Sequence, residues 1–237
     1  MTTVMNAPTV AQPAQSPKPI APLWHSALFL LALGGIAAWG AHRQGLPAFG
    51  SSRVTGYLVT IAWEWVLFAL AAWGIRLGGG SIQDVIGGRW ARPKDFFRDL
   101  GIGIGFLIAS NIVLAGLQAI LRPGPNANIG RLLPRSATEI TLWIFLSLSA
   151  GICEEFTIRG YLQKQLNGWL KNVTAAVVIQ GIIFGAAHAY QGLKLMVTIA
   201  VLGSLMGWLA QWRKSLRPGM LSHFIQDAVG GIVLGRH

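Results

Sequence analysis

Apolar runs long enough to cross a bilayer recur along most of this chain, separated by short polar connections containing glycine and proline. A hydrocarbon core of about 30 Å takes roughly 20 apolar residues in helical form. The pattern predicts spans over 23–41, 57–75, 100–121, 138–170, 173–190, 193–212 and 220–234. The expected fold is all-α, a polytopic transmembrane helix bundle of about seven spans, within a range of six to eight. As one helix, residues 138–170 would extend about 50 Å at 1.5 Å per residue, so the part through Lys164 and Asn167 is expected to project or bend. Residues 1–22, mostly Ala, Pro, Thr, Gln and Ser with a lone Lys18, cannot bury a core and read as a disordered N-terminal tail. Residues 23–237 then form the transmembrane domain, opening on a first span whose Trp24 and Trp39 are placed like interface anchors. Residues 78–99 read as a polar, glycine-rich connection at the membrane surface, carrying Arg89, Arg92, Lys94 and Arg98.

Composition supports that reading. The chain is 53% hydrophobic and 11% charged, with a mean hydropathy of +0.52, whereas a soluble domain carries roughly a quarter charged residues. The lipid bilayer is therefore an expected partner. A formal charge of +11 raises the question of nucleic acid. The basic residues, however, fall singly in the connections between apolar runs, the bias of membrane loops, and form no basic helix or aromatic–basic platform. No nucleic-acid partner is expected. Counted over alternate connections, 12 of the 19 Lys and Arg lie on the side of the N-terminus, which places that side inside. The lone cysteine, Cys153, excludes an internal disulfide and, lying in an apolar run, reads as packing. Gly181-x-x-x-Gly185 and Gly203-x-x-x-Gly207 put small residues on one helix face and predict close helix approach. Gly101-Ile-Gly-Ile-Gly105 has no strand around it and is not a dinucleotide fingerprint.

The chemistry sits where charge interrupts these runs. Four of the eight acids, Glu64, Glu154, Glu155 and Asp227, fall inside apolar segments. Ionisable groups in a membrane are costly and mark functional sites by default. In a helix Glu155 and Arg159 stand at i, i+4 with the acid first, the favourable order for a pair. Glu154 lies about 100° around the helix and is left free to face something else. His188 lies one turn beyond Phe184 on the Gly181/Gly185 face, and His223 and Asp227 share one stripe of the last span. If the fourth and fifth spans form a hairpin turning at Lys171, Glu154 and His188 lie 17 residues to either side of it. They would then meet at one depth, where a carboxylate and an imidazole can hold and activate a water.

Glu154-Glu155-x-x-x-Arg159, Phe184-x-x-x-His188 and His223-x-x-x-Asp227, in that order on late spans, resemble the three motifs of the CPBP family, the CAAX proteases and bacteriocin-processing enzymes also called Abi. That family includes the Ras-converting CAAX endopeptidases, and the resemblance covers roughly residues 138–235. It implies an all-helical intramembrane endopeptidase. In it the first glutamate, Glu154, activates water with help from His188. His223 and Asp227 polarise the scissile carbonyl, and Glu155 and Arg159 form the supporting pair. Some members carry asparagine where this chain has Asp227, and three roles stay open for the aspartate: a protonated hydrogen-bond donor, an acceptor orienting His223, or a metal ligand. Metal-free glutamate chemistry with no cofactor is the leading expectation; zinc held by His188, His223 and one carboxylate is the alternative.

Other intramembrane protease types lack their motifs here: there is no His-Glu-x-x-His, no Gly-x-Gly-Asp and no Gly-x-Ser-Gly. The rival readings are a non-catalytic membrane scaffold or immunity factor of the same fold, and a proton-coupled transporter using Glu64, Glu154, His188 and Asp227. No convincing internal repeat favours the transporter. The expected substrate is a peptide or membrane-protein segment, CAAX-like or a leader peptide. The expected location is a bacterial inner membrane, with the active site open to the cytoplasm.

Overall fold

The computed structural model describes residues 16–44, 52–124 and 127–235, and every regular element among them is helical. The helices are α1 (Leu23–Gln44), α2 (Arg53–Leu77), α3 (Ile82–Ile86), α4 (Pro93–Leu121), α5 (Ala127–Leu132), α6 (Ala137–Glu154), α7 (Gln163–Leu170), α8 (Val173–Ala187), α9 (Leu193–Arg213) and α10 (Arg217–Leu234). A π-helical segment, Glu155–Leu162, joins α6 to α7, so that Ala137–Leu170 runs as one helix of 34 residues. Five helices are long and apolar enough to cross a membrane: α1, α2, α4, the α6–α7 helix and α9. The two remaining expected spans are α8, an apolar helix of 15 residues, and α10, of 18. This is a polytopic helical membrane bundle.

Local signals explain where the helices start. The Ser52 hydroxyl accepts from Thr55 N at α2, and Asn172 Oδ1 accepts from Ala175 N at α8. Ser136 and Glu139 form a reciprocal capping box at α6. Each satisfies N–H groups that a helix start leaves unpaired. Pro93 and Pro218 occupy first-turn positions of α4 and α10, where no N–H is needed.

In the bundle α10 lies between α4 and α6, α2 covers the other side of α6, and α8 and α9 form a tight antiparallel hairpin. The small-residue faces drive that hairpin, as expected. A Cβ on Gly185 would stand 2.6 Å from Met196 O, and one on Gly181 2.8 Å from Ala200 O. Without a hydrophobic force between helices in lipid, such close backbone contact is what holds them together.

Three regions depart from the sequence reading. The distal part of the fourth span does not project. Gln163, Gln165, Leu166 and Gly168 are buried, and α7 packs on α8. Of the expected tail, residues 1–15 lie outside the described residues, but 16–22 are described and Ile20–Ala21 is clamped. Gln165 Oε1 accepts from Ile20 N (2.7 Å) and Ala21 N (3.0 Å), while Gln165 Nε2 donates to Ala21 O (2.8 Å). The amide satisfies this backbone in place of water, which composition could not reveal. The connection 78–99 also contains a helix of its own, α3, and its last residues already belong to α4, leaving Asp99 only 1% exposed.

These contacts sort the loops onto two ends. Pro19 packs against Gly168, Ile20 against Gly78, and Gly87 against Lys214, and Leu216 N donates to Ile86 O. The tail and the connections 78–92, 171–172 and 214–216 therefore share one end, which holds most of the basic residues. At the other end Arg53 meets Glu139, Lys194 Nζ donates to Arg122 O, and Gly235 lies on Pro134.

Candidate active site

Helix α6 delivers the glutamates along a face of small residues. Ser147, Ser149, Ala150, Gly151 and Cys153 are all buried, and a Cβ on Gly151 would stand 2.8 Å from Met220 O of α10. That close approach brings α10, with His223 and Asp227, against the end of α6. Beyond Glu154 the backbone widens into the π segment, all eight residues of which are buried. Thr157 Oγ1 donates to Cys153 O at 2.8 Å, the carbonyl an α-helix reserves for the Thr157 N–H. π turns inside α-helices are rare and occur frequently at functional sites. The residue pattern predicted a helix through this stretch, but nothing in it marks a π turn at Glu155.

The expected Glu155–Arg159 pair is present, with Nη1 to Oε1 at 2.9 Å and side chains at 1% exposure or less. Arg159 Nη2 also donates to Gly203 O at 3.2 Å, and its guanidinium carbon lies 4.3 Å from the Phe184 ring centre. One cation thus fastens the π segment to both α8 and α9. A buried charge is tolerated only with such partners.

His223 is the hub. Its Nδ1 lies 3.2 Å from Glu155 Oε1, and its Nε2 lies 3.4 Å from Asp227 Oδ2 and 3.7 Å from Glu154 Oε2. Glu154 and Asp227 are the more open carboxylates, with side chains 25% and 39% exposed, whereas Glu155 is closed off. The structure therefore joins the first and third motifs directly. The second motif reaches them through an aromatic ring. Phe184 lies 4.8 Å from His188 and 6.3 Å from His223, both edge-on. His188 closes the last turn of α8, half-buried, with Nδ1 2.8 Å from Phe184 O. Glu154 and His188 were expected to share a depth and hold a water between them; among the described residues no direct hydrogen bond or ion pair joins the two, and the ionisable side chain at ion-pair distance from Glu154 is His223. Two antiparallel helices set a shared depth, but the azimuth of each side chain depends on the π turn and on α10.

Two further residues join this neighbourhood. Glu64, on α2, is 8% exposed and lies in the electrostatic reach of Glu154, His223 and Asp227, with the Ser149 side chain beside it. Its signal was legible as a carboxylate between two tryptophans in an apolar run, although the three motifs do not include it. Tyr190, at the turn after α8, stacks 5.8 Å from His188 and feels the charges of Glu154, Asp227 and Glu64. No sequence signal singled it out.

The zinc alternative can be set against the donor geometry. Among the described residues no three His, Cys, Asp or Glu side chains converge in a way that could hold a metal ion. Both nitrogens of His223 already face carboxylates. The mechanism proposed for this centre uses its carboxylates and histidines without a metal.

A helical integral membrane protein with a carboxylate–histidine centre buried in its bundle is the class that fold and site define. Residues 136–229 match the family model of type II CAAX prenyl endopeptidase Rce1-like proteins, a CAAX protease family, and the matched segment contains all three motifs. The resemblance read from those motifs is thereby borne out over that segment. No curated protein and no solved structure matches the chain.

Proposed function

We propose that this protein is an intramembrane endopeptidase that hydrolyses peptide bonds of membrane-associated substrates with a glutamate-activated water. The observation that carries the reading is the convergence of Glu154, Glu155 and Asp227 on His223 from two separate helices. Glu154 is the general base, because its carboxylate is partly open while that of Glu155 is spent on Arg159. His188 helps to hold the water. With Nδ1–H donating to Phe184 O, its Nε2 keeps a lone pair for a water proton.

His223 Nδ1 hydrogen-bonds Glu155, and its Nε2 lies at ion-pair distance from Asp227 and Glu154, surroundings that favour the imidazolium and leave Nε2–H able to turn to a substrate carbonyl. That cation polarises the scissile carbonyl and stabilises the oxyanion of the tetrahedral intermediate. Water loses one proton to Glu154 as its oxygen bonds the carbonyl carbon. When the C–N bond breaks, that proton passes to the leaving nitrogen, yielding a new carboxyl terminus and a new amine. Asp227, in contact with His223 Nε2, serves as the orienting acceptor among the three roles its sequence left open.

The gathered basic end supports an orientation with the N-terminal tail in the cytoplasm. Substrates are peptide or membrane-protein segments that enter the bundle from the bilayer or its surface. The decisive experiment compares protein N-termini in cells carrying wild type and Glu154→Gln. New N-termini that vanish in the variant, at equal membrane abundance, identify substrates. Identical N-terminal profiles would refute the assignment.

A further inference from the structure

The basic end of the bundle contains a second polar cluster, separate from the catalytic centre. Asp99, at the start of α4 and 1% exposed, accepts from Trp90 Nε1 at 2.9 Å. It also meets Arg217 at 3.1 Å, Arg98 at 3.3 Å and Arg213 at 3.9 Å. The neighbouring Asp95 meets Arg92 and Arg98, each at 3.7 Å. Four arginines therefore surround two aspartates and leave two positive charges uncompensated, with Lys94 and Lys214 adjoining in sequence. Arg217 Nη1 and Arg213 Nε are buried without a hydrogen-bond partner. Arg98 and Arg213 keep part of their side chains open, at 50% and 24% exposure.

The apolar surroundings are those of a membrane boundary. Arg217 lies 5.6 Å from the Trp90 ring and Arg213 5.3 Å from that of Trp212. Trp90, Phe97 and Trp212 are exposed around the cluster. Aromatic rings of this kind settle at headgroup level, where the glycerol and upper acyl chain of a lipid lie. Guanidinium groups present forked donors that match phosphate oxygens, and a surplus of them between helices suits an anionic headgroup.

We propose that the Arg98/Arg213/Arg217 cluster between α4 and the α9–α10 turn binds the phosphate of an anionic phospholipid. The headgroup offsets the surplus charge around Asp99, and the acyl chains lie along Phe97 and Trp212. Bound there, the lipid joins the start of α4 to the start of α10, the helix that carries His223.

Native mass spectrometry of the detergent-solubilised full chain tests this with phosphatidylglycerol and phosphatidylcholine as probes. Phosphatidylglycerol should bind wild type about tenfold more tightly than phosphatidylcholine. Arg98→Gln with Arg213→Gln, which leaves Arg217 and Trp90 on Asp99, should erase that preference. Arg122→Gln with Arg135→Gln, exposed at the opposite end, should keep it. Excess inorganic phosphate should not displace the lipid. Equal affinity of wild type for the two lipids overturns the proposal, and this comparison needs no variant. Equal loss in both double variants would show diffuse charge attraction and also overturn it. Displacement by inorganic phosphate alone would make this a free-anion site and reject the lipid.

Discussion

His223 Nδ1 and Arg159 Nη1 meet the same oxygen of Glu155, at 3.2 Å and 2.9 Å. A carboxylate at the first position of the π segment thus aligns the histidine of α10, while Arg159, four residues further along the same segment, supplies its counter-charge. In the mechanism we propose, Glu155 is therefore a positioning residue, and Glu154, one residue earlier, is the general base.

Removing the counter-charge should damage the fold before the chemistry. Arg159→Ala strands Glu155 at 0% exposure, a loss on the order of 3–5 kcal/mol. Folded yield and melting temperature in detergent should fall together. Replacing both partners, Glu155→Gln with Arg159→Met, should recover folded yield without recovering cleavage. A fully stable Arg159→Ala would contradict the coupling described above.

The two histidines should separate by phenotype. His223→Ala removes the shared partner of three carboxylates and should abolish cleavage. His188→Ala removes one bond to a main-chain carbonyl at the end of α8, so stability should change little. Its turnover should drop by about two orders of magnitude, the usual size of an acid–base contribution. Turnover measured on a membrane-reconstituted substrate, beside thermal melts of both variants, checks the distinction.

Asp227→Asn tests the orienting role. An amide can accept one bond from His223 but carries no charge to balance an imidazolium. Cleavage should fall by about tenfold or more across the working pH range. Chelators and added zinc should leave both proteins unchanged. A chelator-sensitive wild type would instead make His188 and His223 candidate ligands.

The clamp on the tail gives a prediction outside the site. Gln165 makes all three polar contacts to Ile20 and Ala21. Gln165→Ala should leave that backbone unsatisfied and free it from α7. Limited proteolysis should then cut near residue 20 faster than in wild type, at unchanged cleavage within α7. Equal cutting rates would mean that packing of Pro19 on Gly168 suffices to hold the tail.

The apolar runs and the isolated charges within them determined the helical class, the positions of the five long apolar helices and the candidate site residues. They could do so because a bilayer imposes its thickness on helix length and makes every embedded charge conspicuous. The i, i+4 spacing likewise determined the Glu155–Arg159 pair, which rests on local geometry alone. Only the tertiary structure decided that His223, not His188, stands against Glu154, because that contact depends on how α10 docks over Gly151 and on the widened π turn after Glu154. Glu64 reached the centre by the same route, since α2 packs on α6 across a long stretch of intervening chain. The burial of Asp99 and the capture of residues 20–21 are tertiary as well. Each polar group there finds its partner on an element distant in sequence, and no local pattern encodes that meeting.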